Sequence, residues 1–247
     1  MGHDRPTVAI LSPTLTLTVT VEHSNDHDEI HLHPGGQGFW IARMLRHLGE
    51  RPLLCGPTGG ETGRVIRGLA NQWAIDIASV TTSVASPTTI QDRRQGDRRP
   101  VAETAPMTLD RHETDDLYGT FLERAIAAGV CVVTGSSQQD LTDLYRRLGH
   151  DLAASEVRVV ADLHGPELTS FLSGGPLEVL KISDEDLTND GTSVDADEES
   201  AIKAITRFVE GGAKGVVLSR GHLPALAHLA GRWFRATPPQ LEPADHR

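Results

Sequence analysis

The sequence has few cysteines, few aromatic residues and no long apolar run. It has only 2 cysteines and, among its 247 residues, 5 phenylalanines, 3 tryptophans and 2 tyrosines. Cys55 and Cys131 both lie inside apolar runs, which favours buried thiols in a reducing compartment over a disulfide. No apolar run approaches the roughly 20 residues of a transmembrane helix, and the first residues include no apolar signal-peptide segment. We therefore expect a cytoplasmic protein that has no membrane partner.

Positive charge is also scarce, because 23 lysines and arginines face 34 aspartates and glutamates, for a net charge of −11. Without a long basic stripe, nucleic acid is not expected as a partner. The one basic concentration, residues 92–99, predicts either a solvated hairpin tip with local ion pairs or arginines that close onto an anion.

The clustered His23, His27, His31 and His33 are interpreted either as exposed residues or as metal ligands.

Short, continuous apolar runs recur along the chain instead. Continuous apolarity is typical of strands that are buried on both faces, as in a parallel sheet. Helical patterns lie between the runs, for example Leu141, Leu144, Leu148 and Leu152, which share one face. The alternation predicts an α/β fold with a doubly wound, mostly parallel sheet flanked by helices. The runs are residues 8–11, 130–133, 157–163, 179–182 and 216–218.

Two other segments alternate between apolar and polar residues with a period of two. They are residues 15–21 and residues 30–33, and a further extended stretch over 88–102 is interrupted by a Gln95-Gly96 turn. Alternation indicates strands with one wet face, so we expect a small β flap outside the buried core. The flap is assigned to about residues 14–33 and 86–104, as a lid on a single domain that spans residues 1–247.

A glycine loop precedes the first helical pattern. Gly35, Gly36 and Gly38 surround Gln37, and the helix begins directly behind them. Glycines let a backbone approach a ligand closely, and the unpaired N–H groups of a helix start favour an anion. The loop is interpreted either as a tight turn or as such a binding loop. Trp40 is interpreted either as core packing or as a wall of a ligand pocket.

The order of these motifs resembles the PfkB group of ribokinase-like carbohydrate kinases, and most of all its branch of 1-phosphofructokinases and 6-phosphofructokinases. The resemblance runs from about Val8 to Asp245. The glycine loop is similar to the family's Gly-Gly-Lys-Gly-x-Asn signature, with Gln37 and Trp40 in the places of the lysine and the asparagine. Thr16 stands where the family has a substrate-binding aspartate. The resemblance implies a sugar site that comprises Thr16, Gly35, Gly36, Gln37, Gly38 and Trp40.

A second set of motifs resembles the nucleotide side of these kinases. Residues 181–187 are similar to Lys-Pro-Asn-x-x-Glu-Leu, whose asparagine and glutamate organise Mg²⁺ and the phosphates of ATP, and residues 217–221 are similar to the nucleotide-side strand. The resemblance implies ATP and Mg²⁺ as cofactors, with Asp186 as the metal ligand and Asp162 as a weaker metal candidate. The implied ATP-binding residues are Lys181, Ser183, Asp186, Ser219 and Gly221.

The family's Gly-Ala-Gly-Asp motif, which carries its anion hole and catalytic aspartate, would begin where this chain stops at Arg247. We therefore expect the closing C-terminal helices to be missing and assign no catalytic residue in the chain. The resemblance implies ATP-dependent phosphorylation of a sugar or sugar phosphate, such as a fructose-phosphate-like ketose, and a homodimer formed through the flap. The alternative is a non-catalytic sugar-phosphate or nucleotide-binding protein.

Overall fold

The computed structural model describes residues 6–136, 139–191 and 197–239. Residues 240–247, where the family resemblance ends, lie outside the described part. The chain forms two compact units. The first contains the described residues up to Ala128 together with Ser136 and Gln139, and the second contains Gly129–Gly135 and the described residues from Asp140 onward.

The first unit combines a parallel core with a separate small sheet. In chain order its elements are β1 (Val8–Leu11), β2 (Thr16–Ser24), β3 (His27–Gly35), α1 (Gln37–His47), β4 (Pro52–Gly59), α2 (Gly60–Gln72), β5 (Asp76–Thr82), β6 (Thr88–Asp92), β7 (Arg99–Glu103) and α3 (Arg111–Ala128). The strands β1, β4 and β5 pair in that order, all parallel. α1, α2 and α3 pack on them.

The continuous apolar run at the start of the chain forms the centre of this core. Ala9, Ile10 and Leu11 in β1 have no exposed surface. Such burial on both faces requires helices on the sheet, and α1 and α3 both contact β1. The prediction of a buried parallel strand over residues 8–11 is therefore confirmed.

The remaining strands of the first unit form the flap, a four-stranded sheet in the order β3-β2-β6-β7. β2 runs antiparallel to β3 and parallel to β6, and β6 runs antiparallel to β7. The register places Val19 opposite Leu32 and Ile90, and Ile90 opposite Ala102, so that an apolar row crosses all four strands. The neighbouring positions of β2 and β3 carry threonines, histidines and glutamates, which form the polar face of the flap.

The second unit continues the alternation of strand and helix. In chain order its elements are β8 (Val130–Thr134), α4 (Thr142–Ala154), β9 (Arg158–Asp162), α5 (Gly165–Gly174), β10 (Val179–Ser183), α6 (Asp184–Asn189), α7 (Glu198–Glu210), β11 (Val216–Arg220), β12 (Leu223–Leu229) and β13 (Arg232–Ala236). The strands β8 to β11 pair in chain order and are parallel. Both units thus confirm the predicted fold class of a mostly parallel sheet flanked by helices.

An antiparallel hairpin, β12 and β13, adds to the edge beyond β11, and the apolar runs did not predict it. Every residue of β13 is exposed, including Trp233 and Phe234. An edge strand with two wet faces has no continuous apolar run, which is why the sequence pattern misses it. The sheet is therefore parallel except at this edge.

Both cysteines are fully buried thiols, as predicted, and no disulfide joins them. Burial raises the pKa of the Cys55 thiol to about 12, so this thiol stays protonated at neutral pH. Over the described residues, no helix is both long enough and apolar enough to cross a membrane.

Candidate functional site

The glycine loop of the first unit is packed tightly against the segment that follows β1. Gly36 precedes α1 with a φ of 105°, a conformation that favours glycine, and a side chain there would collide with the Thr14 carbonyl oxygen. A Cβ atom on Gly38 would lie 2.5 Å from the Cβ of Ser12, which is itself buried. Close packing within the protein therefore already requires glycine at these two positions.

Thr16 and Gly35, two of the predicted sugar-site residues, are brought together by strand pairing. Thr16 opens β2 and lies opposite Gly35, the last residue of β3. A side chain on Gly35 would collide with the Thr16 hydroxyl oxygen and would lie 3.2 Å from that of Thr18. The missing side chain at Gly35 thus leaves room for two hydroxyl groups beside the start of α1.

The N-terminus of α1 suits an anion. Its N-cap residue is Gly36, which has no side chain that could act as a cap, and its first turn has no acidic residue. By contrast, the hydroxyl of Ser86 accepts a hydrogen bond of 3.1 Å from the Gly59 N–H at the start of α2. No acidic side chain of the first turn therefore offsets the positive end of the α1 dipole, which is the property that helix-end phosphate sites use.

Trp40 is not a core residue, so one of its two predicted roles is wrong. It is 48% exposed, whereas its neighbour Phe39 is fully buried. The Trp40 ring lies edge-on to Trp73, with 6.5 Å between the ring centroids, and the Arg43 guanidinium lies over both indole rings. Gln37, the other departure from the family signature, is the exposed first residue of α1.

The arginines of the predicted hairpin tip form local ion pairs. Arg94 binds Asp92 at 2.8 Å and Asp28 at 3.2 Å, and Arg93 binds Glu22 at 3.3 Å. The hydrogen bonds from Arg94 lower the pKa of Asp92 to about 2. The first interpretation of residues 92–99, a solvated tip with local ion pairs, is the one that the structure supports.

Histidines line the polar face of the flap between acidic residues. The Nε2 atom of His31 lies 3.2 Å from a Glu29 carboxylate oxygen, and the rings of His31 and His33 stack with 6.1 Å between centroids. Burial, followed by the neighbouring His31, lowers the pKa of His33. Among the residues that the structure describes, no three His, Cys, Asp or Glu side chains are grouped to hold a metal ion.

In the second unit, Lys181 of β10 and Asp162 at the carboxyl end of the adjacent strand β9 form an ion pair. The Lys181 Nζ atom lies 3.1 Å from the Asp162 Oδ1 atom, and β10 pairs with β9 at these two residues. Burial raises the pKa of Asp162 above its usual value, although the Lys181 ammonium group opposes the shift. Lys181 is 38% exposed and can therefore also contact a ligand.

Ser183 and Asp186 cap α6 reciprocally. The Asp186 N–H donates to the Ser183 hydroxyl at 3.1 Å, and the Asp186 Oδ2 atom accepts from the Ser183 N–H at 3.0 Å. This capping box holds the two predicted nucleotide-side residues in one geometry directly after β10. One carboxylate oxygen of Asp186 is committed to the cap, and its Oδ1 atom lies 4.0 Å from His164 Nε2.

His164 and Asp190 join this cluster, and the sequence reasoning did not assign either of them to the site. His164 Nδ1 lies 3.3 Å from Asp190 Oδ1, while Asp190 Oδ2 accepts a 2.7 Å hydrogen bond from the Gly165 N–H. The Asp190 carboxylate thus occupies the N-terminus of α5, where it neutralises the helix dipole. The signal available in the sequence was the position of His164, two residues after Asp162.

Ser219 and Gly221 differ in their relation to this cluster. The register places Ser219 opposite Ser183 on the adjacent strand β11, so the structure brings these two residues together. Gly221 is the exposed first residue of the two-residue turn between β11 and β12, with a φ of 53°. Turn geometry alone therefore accounts for glycine at this position.

The donor set of the second unit suits a metal ion that arrives with a nucleotide. Asp162 and Asp186 supply carboxylate oxygens, the ligands that Mg²⁺ prefers, at the carboxyl ends of β9 and β10. Proteins commonly hold Mg²⁺ through one or two carboxylates together with substrate phosphates and water, rather than in a cage of protein ligands. These residues fit that mode.

No family model matches the chain, but comparison with known proteins gives several relatives in sequence. The chain is 24% identical over 247 residues to the ATP-dependent 6-phosphofructokinase isozyme 2 of Mycobacterium tuberculosis, with 94% of this chain and 71% of that protein covered. It is 27% identical over 195 residues to the 1-phosphofructokinase of Bacillus subtilis, with 76% and 61% covered.

Among solved structures, the tetrameric inhibited form of phosphofructokinase-2 from Escherichia coli is similar with a TM-score of 0.84 at 21% identity. The match covers 96% of this chain and 81% of that chain, and it shows the fold. The homologues are therefore phosphofructokinases of the PfkB family, and the resemblance predicted from the order of the motifs is confirmed.

Proposed function

We propose that this chain, a homologue of the PfkB-type phosphofructokinases, phosphorylates a sugar phosphate at the expense of ATP. The preferred substrate class is a fructose-phosphate-like ketose. The observation that carries the proposal is the sequence similarity to an ATP-dependent 6-phosphofructokinase along 94% of the chain. The two sets of site residues described above support it, since each combines backbone and side-chain groups that suit a phosphorylated ligand.

On the sugar side, the N-terminus of α1 is the proposed contact for the substrate. Thr16 supplies a hydroxyl group beside Gly35, and the first N–H groups behind Gly36 supply donors and a positive dipole end. Preorganised backbone donors of this kind need no reorganisation when charge develops, which is how phosphoryl-transfer enzymes gain much of their rate. The tight packing of Gly36 and Gly38 would keep these donors in place.

On the nucleotide side, Lys181 is proposed to bind the phosphates of ATP, with Ser183 and Ser219 beside it. Asp186, with Asp162 nearby, would hold Mg²⁺, which when bound neutralises phosphate charge. The ion pair between Lys181 and Asp162 fixes the direction of the lysine side chain. His164 and Asp190 are proposed to position Asp186 and the start of α5.

A second candidate function is sugar-phosphate or nucleotide binding without turnover. The observation that favours it is the set of departures from the family signature: Gln37 and Trp40 replace polar positions of the glycine loop, and the Asp186 carboxylate is engaged in a helix cap. Both substitutions remove groups that would neutralise or orient a phosphorylated substrate. Binding with no chemistry is the outcome that would support this candidate.

The flap is proposed as the surface of a homodimer. Its apolar face is partly exposed, with Ile30 64% and Leu32 43% exposed on β3. An apolar sheet face that is left open in a monomer is typical of an interface between copies. Pairing of two flaps would cover it.

The test combines binding and turnover on the same preparation. Calorimetric titration with fructose 6-phosphate, fructose 1-phosphate and an ATP analogue measures occupancy, and a coupled assay measures ADP formation from ATP and Mg²⁺ with each sugar. The proposal expects ADP formation that depends on one of the sugar phosphates. Saturable binding of a sugar phosphate without ADP formation would support the second candidate, and no binding of either ligand would contradict both.

A further inference from the structure

An exposed apolar row runs along α1, and we name it the α1 stripe. It comprises Trp40 and Met44 of α1 and its C-cap residue Leu48, which follow one another at intervals of four residues and so lie on one side of the helix. These side chains are 48%, 61% and 71% exposed. A contiguous row of large exposed apolar residues is typical of a surface that binds another molecule.

Positive charge flanks this row. Arg43 and Arg46 lie on the same helix, which contains no acidic residue. The Arg43 guanidinium lies 5.3 Å from the centre of the Trp40 ring and 3.9 Å from that of the Trp73 ring, so it is held beside the first residue of the stripe. This basic and apolar surface stands out on a chain whose net charge is −11.

A pocket of about 510 Å³ opens at the C-terminal end of α1, where the stripe ends. Arg46 and Arg51 line it together with Asn71, and Asp76 is the acidic residue in its wall. The Nη1 atom of Arg46 donates to the Glu50 carbonyl oxygen at 3.2 Å, whereas its buried Nε–H has no acceptor. Two guanidinium groups in one concave surface favour a carboxylate-bearing ligand.

The charge of the surface decides between two occupants. If a second copy of this chain docked stripe to stripe, the basic flanks of both copies would meet, and like charges disfavour such a contact. An acidic partner would instead place its carboxylates against the flank and in the pocket. The apolar row at helical spacing favours a helix over an extended strand as the docked element.

We propose that the α1 stripe docks an acidic amphipathic helix of a partner protein. The apolar side chains of that helix lie on Trp40, Met44 and Leu48, and its carboxylates face Arg43 and the pocket formed by Arg46 and Arg51. This proposal does not depend on the catalytic activity of the chain. It depends only on the exposed apolar row of the α1 stripe and on the arginines beside it.

The experiment measures the fluorescence anisotropy of two labelled peptides, each about five helical turns long. Both carry leucines at helical spacing on one face, with glutamates on the remaining positions in one peptide and lysines in the other. We expect the glutamate peptide to bind the full chain saturably and the lysine peptide to bind at least about tenfold more weakly. Added salt should weaken the binding of the glutamate peptide.

The variant Met44→Glu tests the surface, with Ile202→Glu, which changes an exposed apolar residue of α7, as the matched control. Met44→Glu should weaken binding about tenfold and the control should not. Equal binding of both peptides, no saturable binding, or no effect of Met44→Glu would overturn the proposal. A dimer of the chain alone that Met44→Glu dissociates in sedimentation would also overturn it, because the occupant would then be a second copy.

Discussion

At the scale of single residues, packing within the protein explains the glycines of the loop even without a bound ligand. Gly38 packs against Ser12, and Gly56 packs against the Ser12 carbonyl oxygen, where a Cβ atom would lie 2.6 Å away. Ser12 is thus enclosed between two glycines, one on α1 and one on β4. The loop that we propose to bind the substrate is therefore rigid because the core behind it is tightly packed.

Replacement of Gly38 by alanine should destabilise the protein. The added methyl group would overlap Ser12 and Ile10, and we expect the free energy of unfolding to fall by about 1–3 kcal/mol. The matched control is Gly68→Ala on α2, where nothing lies within 4 Å of the new methyl group. That control should gain about 0.5–1 kcal/mol, because alanine is the better helix former. Urea unfolding measures both, and equal effects would contradict the packing explanation.

Replacement of Lys181 by methionine should weaken ATP binding. The lysine is partly exposed in β10, and we expect the dissociation constant of ATP to rise about tenfold when its charge is removed. Lys214→Met is the control, because Lys214 also forms an ion pair at 3.1 Å, with Glu178, but lies before β11. Calorimetric titration gives both constants. If both variants bound ATP like the unaltered chain, Lys181 would have only a structural role.

At the scale of elements, the buried carboxylate of Glu113 connects α3 to the segment that follows β5. It is 8% exposed and accepts hydrogen bonds from the N–H and the hydroxyl of Ser83 and from the Asp110 N–H. The backbone hydrogen bond from Ser83 is the largest cause that lowers the pKa of Glu113 below its ordinary 4.5. The same carboxylate thus caps a helix and anchors the chain where it leaves for the flap.

This arrangement should make stability depend on pH below about 4.5. Because the folded state holds Glu113 ionised at a pH where the unfolded chain binds a proton, its contribution is present above that range and is lost as pH falls through the lowered pKa. Glu113→Gln should lower the free energy of unfolding at pH 7 by about 1–3 kcal/mol. Unfolding curves between pH 3 and 7 measure it. The variant should lose less stability on acidification than the unaltered chain, and an equal loss would contradict this explanation.

A second prediction at the scale of elements concerns the proposed flap dimer. Leu32→Glu places a charge in the apolar row that crosses β3, β2, β6 and β7, and the cost of burying that charge should dissociate a flap-mediated dimer. Ile126→Glu changes an equally exposed apolar residue on α3 and serves as the control. Sedimentation equilibrium should give half the mass for Leu32→Glu only. A monomer in all three proteins would contradict the proposed interface.

A strand or helix can be predicted from the sequence when the order of its apolar and polar residues is distinctive. β1 was visible because its continuous apolar run reflects burial on both faces, and β2 was visible because its apolar and polar residues alternate. β13 was not, because an exposed edge strand needs neither pattern. In the site, the capping box of Ser183 and Asp186 could be read from local spacing, but the contact between His164 and Asp190 joins residues 26 positions apart. Such contacts follow from how the elements pack.

At the scale of the whole molecule, each compact unit carries one half of the proposed chemistry. The first unit has the glycine loop, the flap and the α1 stripe, and the second has the strand ends with Lys181 and Asp186. The sequence similarity to phosphofructokinases extends over both units, because it covers 94% of the chain. A kinase needs both halves, whereas a binding protein needs only one.

The most direct test of the proposed function follows the phosphoryl group itself. The chain is incubated with fructose 6-phosphate or fructose 1-phosphate, Mg²⁺ and ATP labelled in its γ-phosphoryl group, and the products are identified by mass spectrometry. The proposed function predicts a labelled fructose bisphosphate in equal amount to ADP. A mixture in which both ligands bind, yet no labelled bisphosphate forms from either sugar, would contradict it.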